Sequence, residues 1–330
     1  MAPVLGGQSN PCLEEGEFQF VASYRQFEAD KQYRDGSDLN PTVTALNTQV
    51  ISNMKFLELG GIYALNDRWS LTLGIPIVID GTSSRALPAS VAGSPRFEQS
   101  ASGLGDVQAG VRYWLWDCFD SPEQNIAIGF SLKMPTGDSM ATDQFPNGAG
   151  LDVRERVVDQ SIQPGDDGWG FSFSFEGYKA IGDFTLFANA AYLFNPKGHN
   201  ETFSAPAFLN PVAPNVVPYE IRYNTVADSY IARLGLAYPI QALPGLSLSV
   251  AARIDGSPSE DVFGDDIGFR RPGYFVTIEP GLNYTVGNAT FALSFPTRVH
   301  QYVEDSLGAP RDSTFADYLI EFSFGYRFGD

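Results

Sequence analysis

Ten charged side chains recur in segments that otherwise alternate apolar residues with small or polar ones. Acidic and basic members are mixed, so two roles are open. They can pair across neighbouring strands and fill the space that they share. They can also line a narrow path, where local fields sort solutes by charge. These candidate lining residues are Asp106, Arg112, Lys133, Glu176, Arg233, Arg253, Glu279, Arg298, Glu321 and Arg327.

Catalysis by a serine nucleophile would need a histidine beside a serine, together with an Asn or an acid. The sequence has two histidines, His199 in NPKGHNETF and His300 in RVHQY. Neither lies beside a serine of a predicted strand, and both fall at loop margins. No CxxC, CxxCH or His/Cys cluster offers ligands for zinc or haem. We therefore predict no catalytic residues and no enzyme activity.

Acidic residues cluster in two predicted loops. Seven of them, including Asp159, lie between positions 138 and 167, and four more lie between positions 260 and 266. Oxygen-rich loops can hold calcium where a glycine permits a tight turn, as at Gly264. Neither loop has the EF-hand spacing, and solvated acidic surfaces are the common alternative. Structural Ca²⁺ is the one cofactor that the sequence leaves open, with Asp261, Asp265 and Asp266 as its candidate ligands.

The elements that position these residues are strands. The stretch 69–80, WSLTLGIPIVID, places six large apolar side chains on one side and mostly small or polar ones on the other. Such period-2 alternation predicts a β-strand. About eleven residues at roughly 3.3 Å each, tilted by about 40°, rise about 27 Å, which matches a hydrocarbon layer. The predicted segments are 16–27, 50–63, 69–80, 105–116, 125–135, 168–178, 183–195, 228–238, 246–255, 273–284, 289–298 and 315–328.

Short and long connections alternate between these segments. Short ones are predicted at 64–68, 117–124, 179–182, 239–245 and 285–288, and long ones follow positions 27, 80, 135, 195, 255 and 298. Outer-membrane barrels place short turns at the periplasmic end and long loops outside the cell. We therefore predict an all-β fold, a single antiparallel up-and-down transmembrane β-barrel of about twelve strands. A soluble β-sandwich that binds carbohydrate is the alternative.

One predicted strand has an ambiguous register. In VISNMKFLELGGIY, either Lys55 or Glu58 must face lipid if the strand is regular. We favour Leu57 and Leu59 outward and Glu58 inward, with Lys55 near the outer rim. A β-bulge could reconcile both residues. Proline removes a ladder donor, so Pro76, Pro135 and Pro296 are predicted to mark bulges or strand ends.

Composition narrows the class of protein further. Charged residues make up 18% of the chain, aromatic residues 13%, and 33 of 330 residues are glycine, which is typical of an all-β protein. A net charge of -18 argues against a nucleic-acid partner, since phosphate contacts need clustered Lys and Arg. No apolar run approaches the roughly 18 residues of a spanning helix. No export signal precedes Pro3, so the chain is expected to be either cytosolic or a mature form.

Two cysteines, Cys12 and Cys118, permit one disulfide or two free thiols. Cys12 precedes the first strand and Cys118 lies in the second short turn, so both are predicted at the periplasmic end. A bridge would draw the N-terminal segment across the lower mouth, and it requires Cα atoms within about 7 Å. We divide the chain into a periplasmic segment, 1–15, and a barrel, 16–330.

Several motifs resemble those of the bacterial outer-membrane family named after the meta-cleavage pathway of phenol degradation. They are YALNDRWSLTLGIPIV, GLGDVQAGVRYWL, GFSLKMPTGD and IQPGDDGWGFSFS, within a resemblance that spans about 57–328. The sharpest pieces are Gly105 and Asp106 of GLGD, the PTGD at Pro135 and the QPG at Gln163. The resemblance implies a single-chain barrel of transporter type. It does not extend to a phenolic cargo.

The prediction for function is passive or facilitated passage of small solutes, apolar or aromatic ones among them, across the bacterial outer membrane. Lipid, lipopolysaccharide and the solute are the expected partners, and the sequence predicts no oligomeric state. The alternative is a closed structural or interaction barrel that displays acidic extracellular loops. A hydrocarbon channel with a lateral exit is a rival within transport, although about fifteen residues before Gly16 are few for its N-terminal plug.

Overall fold

The structure, a computed structural model, describes residues 12–34, 36–307 and 311–329. Most of the predicted periplasmic segment, 1–15, therefore lies outside the described residues. Over the described ranges, no helix has the length and apolar character needed to cross a membrane. Helices are short and few, and strands dominate the chain.

The described elements follow one another in a regular succession of strands with brief helical turns in the long connections. The strands are β1 Phe18–Ala29, β2 Lys31–Arg34, β3 Ile51–Ala64, β4 Trp69–Ala86, β5 Arg96–Leu104, β6 Gln108–Trp114, β7 Gln124–Lys133, β8 Thr142–Phe145, β9 Arg154–Val157, β10 Gly170–Ile181, β11 Phe184–Phe194, β12 His199–Phe203, β13 Tyr223–Thr225, β14 Ser229–Pro239, β15 Leu246–Ser257, β16 Gly273–Val286, β17 Ala289–Ser294, β18 Thr297–Val303, β19 Asp312–Phe315 and β20 Leu319–Phe328. The helices are α1 Pro41–Leu46, α2 Ala205–Phe208 and α3 Tyr219–Arg222, with 3-10 turns at Gln160–Ile162 and Pro214–Val216.

Antiparallel pairing closes the main sheet on itself. Neighbours run in the order β1, β3, β4, β6, β7, β10, β11, β14, β15, β16, β17 and β20. β20 then pairs with β1 over a continuous ladder from Phe18 opposite Phe328 to Phe27 opposite Leu319. Closure leaves the barrel wall without a free edge, as a spanning sheet requires. The predicted antiparallel barrel of twelve strands is confirmed.

Two of the twelve positions in the wall are each shared by two strands. β5 and β6 both pair with β4, and the break at 105–107 lies beside Pro76, which has no N–H to donate. β17 and β18 both pair with β16, and the break between them contains Pro296. Pro135 follows the end of β7. The prolines therefore lie where the ladder is interrupted or ends, as the sequence predicted.

A bulge resolves the ambiguous register of β3. Lys55 pairs with Asp80 and Phe56 pairs with Val78, so Ile79 is the extra residue on β4. Lys55 donates to Asp80 at 2.8 Å, and both side chains are partly exposed. Glu58 faces inward on the same strand. The predicted bulge is present, but it belongs to β4 rather than to the ambiguous strand.

Apolar side chains cover the outside of the barrel. Leu73, Ile128, Phe173, Leu248 and Phe322 represent five different strands, and each of them is exposed. Aromatic pairs sit at the ends near the short turns, with Trp69 and Tyr113 rings 4.7 Å apart and Phe184 and Tyr238 rings 5.1 Å apart. Such rings favour the headgroup level of a bilayer. The outer face is that of a membrane-spanning barrel.

Long connections gather at the end opposite the short turns, where they carry structure of their own. β4 and β5 extend beyond the wall as a hairpin from Gly81–Ala101 to Ala86–Arg96. The predicted strand 69–80 therefore ends too early, because pairing continues past the bulge to Ala86. Further two-stranded sheets form between β2 and β19, β8 and β9, and β12 and β13.

Candidate functional site: the lumen of the barrel

A cavity of about 470 Å³ lies inside the barrel. The inward faces of all the wall strands contribute to it, because alternate residues of each strand point to the interior. Its apolar lining includes Val21, Phe56, Pro76 and Ile231. Its polar lining includes many small groups and several charges. The charged lining residues are Arg25, Glu58, Arg112, Glu176, Arg233, Arg253, Asp255, Glu279 and Glu321.

Most of these charges form ion pairs along one side of the lumen. Arg233 donates to Glu279, whose side chain is 1% exposed. Arg253 donates to Glu321 at 2.9 Å and binds Asp255 through two nitrogens at 2.7 and 2.8 Å. Both arginines are therefore paired with carboxylates of the wall strands. This arrangement matches the cross-strand pairing that the sequence left open beside a charge-lined path.

A second ion pair lies on the opposite side of the lumen, between β6 and β10. Arg112 donates to Glu176 at 3.4 Å, and both side chains are buried. The guanidinium carbon of Arg112 also lies 5.2 Å from the centre of the Trp114 ring. The indole ring faces the cation, which favours this position of the guanidinium.

Four of the ten predicted lining residues lie elsewhere. Arg298 donates to Tyr33 at 2.8 Å and also binds Asp317, beyond the upper end of β20. Arg327 lies near the opposite end, 4.0 Å from Glu17. The remaining two are Asp106 and Lys133, which belong to a junction in the wall.

That junction brings together the three motifs GLGD, PTGD and QPG. Asp106 accepts hydrogen bonds from the backbone N–H of Gly137 at 2.9 Å and of Asp166 at 3.1 Å. Lys133 binds Asp166 and lies 3.9 Å from Asp106. A Cβ atom on Gly165 would come within 2.6 Å of the Gly137 Cα. The glycines are there because two backbones cross in contact, so these motifs are explained by packing.

A segment of the longest connection packs against the inner side of the wall at the upper end of the lumen. Ile162 and Val158 are fully buried, and they pack with Met54 and Val78 of the wall. Asp159, also fully buried, binds Arg85 and accepts two hydrogen bonds from Arg271. We call residues 157–163 the upper plug.

Charge holds the upper plug in place. Burial alone would raise the pKa of Asp159, but Arg271 and Arg85 hold it well below its ordinary value. Gln99 donates to the carbonyl of Val157 at 3.1 Å and accepts from the N–H of Asp159 at 3.2 Å. The interpretation of this acidic loop as a solvated surface was wrong for Asp159, since Arg85 of β4 and Arg271 of another connection bind it.

The N-terminal segment narrows the lower mouth. Cys12 and Cys118 are joined by a disulfide, with Cα atoms 5.7 Å apart. Both are buried against Trp114 and Ala127. The neighbouring Leu13 packs on Ile62 and Ala64, inward residues of β3. Residues 12–13 therefore lie across the lower end of the lumen.

One arginine pairs with two of the three aspartates that were candidate calcium ligands. Arg270 binds Asp261 and lies 3.6 Å from Asp266. Asp265 instead packs its backbone against Gly198. Among the described residues, no group of three His, Cys, Asp or Glu side chains is close enough to hold a metal ion. The three aspartates thus do not converge on a common point.

Three charges of the cavity were not among the ten candidates. Arg25 on β1, Glu58 on β3 and Asp255 on β15 all line it. Alternation places each of them inward: Phe20, Ala22 and Tyr24 fix the outward parity of β1. The alternation of β1 could therefore have predicted that Arg25 faces the lumen. The inward direction of Glu58 was already predicted from the outward direction of Leu57 and Leu59.

No family model matches the chain. Among solved structures, it is similar to the COG4313 outer membrane channel from Pseudomonas putida F1, with a TM-score of 0.60 and 14% identity over 99% of this chain and 100% of that chain. The β domain of the Bordetella autotransporter BrkA has a TM-score of 0.48 and 13% identity, over 95% and 100% of the two chains. The Pseudomonas putida toluene transporter TodX has a TM-score of 0.45 and 11% identity, over 97% of this chain and 92% of that chain. The first likeness agrees with the barrel fold over its whole length.

Proposed function

We propose that this chain is a bacterial outer-membrane channel through which small, apolar or aromatic solutes pass passively. The observation that carries the proposal is a cavity of about 470 Å³ within a closed barrel whose outer face is apolar. Cavities of that size accommodate small organic molecules. Passage through such a path requires no catalytic residue and no cofactor.

Both the cavity wall and the comparisons support this class of function. Phe56, Pro76 and Ile231 give the lumen apolar surface between its ion pairs. The solved structure with the same fold is described as an outer membrane channel. The motif resemblance to the outer-membrane family named after phenol degradation points to transport as well. Neither source identifies a cargo for this chain.

The proposed surroundings are outer-membrane lipid and, at the long-loop end, lipopolysaccharide. The wall offers lipid a continuous apolar face with aromatic rings near the short turns. The six charges Arg112, Glu176, Arg233, Arg253, Glu279 and Glu321 are proposed to shape the path by fixing its width. Because they are paired with one another, they give the lumen little net field.

The rival function is a closed structural or interaction barrel that displays its loops. The upper plug favours it, since Ile162 and Val158 are buried against Met54 and Val78 on the inner side of the wall. Under the channel proposal, this segment must move or leave a side passage for the solute. The two functions therefore differ in what crosses the barrel.

Two measurements on the purified full-length chain separate them. The first is single-channel conductance in planar bilayers. The second is uptake of a neutral monoaromatic solute, benzyl alcohol, into vesicles that contain lipopolysaccharide. A channel accelerates uptake above that of protein-free vesicles. A barrel that is electrically silent and leaves uptake unchanged would contradict the proposal and favour the rival.

A further inference from the structure

One carboxylate in the cavity differs from all the others. Glu176, Asp255, Glu279 and Glu321 each bind an arginine. Glu58 has no ion pair and no side-chain hydrogen bond with any residue in the described part of the chain. Its side chain is only partly exposed and lines the cavity.

The cation on the adjacent strand is held away from it. Arg25 lies opposite Phe56, one inward position from Glu58. Its guanidinium carbon lies 5.1 Å from the centre of the Phe56 ring, and its Nη1 atom lies 4.0 Å from Glu321. Arg25 therefore lies between the Phe56 ring and Glu321. It forms no ion pair with Glu58, whose carboxylate lines the lumen.

The wall around Glu58 is open and apolar. Glu58 pairs with Ser23 on one side and Pro76 on the other. Gly60 and Gly74 are nearby inward positions without side chains, and a Cβ on Gly74 would lie 3.5 Å from the Glu58 Oε1. Val21, Phe56 and Pro76 supply apolar surface in the same part of the cavity. This surface can cover an apolar group beside the carboxylate.

A carboxylate in such a position favours one class of solute. A carboxylate without an ion-pair partner attracts cations, and the attraction is stronger in a narrow, partly apolar space than in bulk water. A small inorganic cation would leave the apolar wall facing water. A solute with a positive nitrogen on an apolar body satisfies both, because its nitrogen meets Glu58 and its body covers Val21 and Pro76.

We propose that Glu58 and the apolar wall around it form a binding subsite for amphipathic amines, that is, solutes with a cationic nitrogen on a small apolar or aromatic body. This inference rests on the proposed function, since it names a class of solute for the same lumen. The subsite binds at equilibrium whether or not the barrel is open at a given moment. It can therefore be tested separately from passage.

The test is equilibrium binding to the detergent-solubilised full chain, measured by titration calorimetry. The probes are benzyltrimethylammonium, the neutral benzyl alcohol, and tetramethylammonium, which has the cationic group without the ring. We expect Glu58→Gln to weaken benzyltrimethylammonium binding about fivefold, the scale of one partly exposed ion pair. Glu58→Asp should retain most of the affinity. The matched control is Glu98→Gln, which removes an exposed carboxylate outside the cavity and should change nothing.

Two outcomes would overturn the subsite. One is equal affinity of the wild type and Glu58→Gln for benzyltrimethylammonium. The other is equal affinity of the wild type for benzyltrimethylammonium and tetramethylammonium, which would mean that Glu58 attracts cations without the apolar wall. Failure of benzyl alcohol uptake into vesicles would refute passage alone. The binding measurement would still decide, independently, whether the subsite exists.

Discussion

Arg271 donates to both carboxylate oxygens of Asp159, at 3.0 and 3.1 Å, although neither residue belongs to a strand of the wall. Arg271 comes from the connection between β15 and β16, and Asp159 from the connection between β7 and β10. Arg85, near the upper end of β4, binds the same carboxylate. Three distant parts of the chain therefore meet at one buried charge, which fixes the upper plug above the cavity.

Removing that charge should open the upper mouth. Asp159→Asn leaves Arg85 and Arg271 without a carboxylate, and breaking a buried pair costs about 3 kcal/mol. We expect higher single-channel conductance and faster trypsin cleavage at Arg154 and Arg156. The control is Glu201→Gln, which removes an exposed carboxylate of β12 far in sequence from both cleavage sites and should leave both readouts unchanged. Equal conductance of Asp159→Asn and the wild type would show that the plug is not held by this charge.

Acid should release the plug only at low pH. The pKa of Asp159 is held well below its ordinary value, so the ionised carboxylate stabilises the folded loop. That stability is fully present above the ordinary aspartate pKa of about 4 and is lost as pH falls toward the lower folded value. Conductance should therefore stay constant from pH 7 to about 4 and rise below it. Asp159→Asn should abolish that rise, and a rise already at pH 6 to 5 would contradict this assignment.

The disulfide should stabilise the lower end of the barrel. Cys12 and Cys118 are 106 residues apart, a separation for which the chain-entropy model gives about 4–5 kcal/mol. Reduction with dithiothreitol should lower the temperature at which the folded band is lost in gel electrophoresis. A Cys12→Ser/Cys118→Ser variant should start at the lower temperature and show no further change. An effect of dithiothreitol on that variant would assign the change to another cause.

The motif junction should not accept a methyl group. A Cβ on Gly165 would lie 2.6 Å from the Gly137 Cα, where backbone must move. We expect Gly165→Ala to reduce the yield of heat-modifiable folded barrel several-fold. Gly325→Ala is the matched control, because its nearest atom would be a flexible glutamine nitrogen at 3.4 Å. Normal assembly of both variants would show that the crossing adapts.

The wall of the barrel could be predicted from the sequence because one local rule governs it. Alternation fixed which face of each strand points outward, and it placed Arg112, Glu176, Arg233 and Glu279 in the lumen. Loop lengths then gave the orientation of the strands. Neither signal depends on which distant residues meet.

The contents of the lumen could not be predicted in the same way. Ile162 enters the upper mouth because it fits beside Gly81, a contact between residues 81 positions apart with no shared periodicity. Asp159 sits in a stretch whose composition is typical of a solvated loop, and only tertiary contacts with Arg85 and Arg271 bury it. Arg298 lies on β18, beyond the break at Pro296, and its side chain binds Tyr33 and Asp317 rather than lining the cavity.

The most direct test of the central claim blocks the lumen from within. Ser174 lines the cavity, whereas its neighbour Phe173 faces outward and is 55% exposed. Each is changed to cysteine in a background without Cys12 and Cys118, and a bulky thiol reagent is attached. We predict that labelling at position 174 abolishes benzyl alcohol uptake and ionic current, while labelling at 173 leaves both intact. Unchanged uptake after complete labelling at 174 would contradict passage through this barrel.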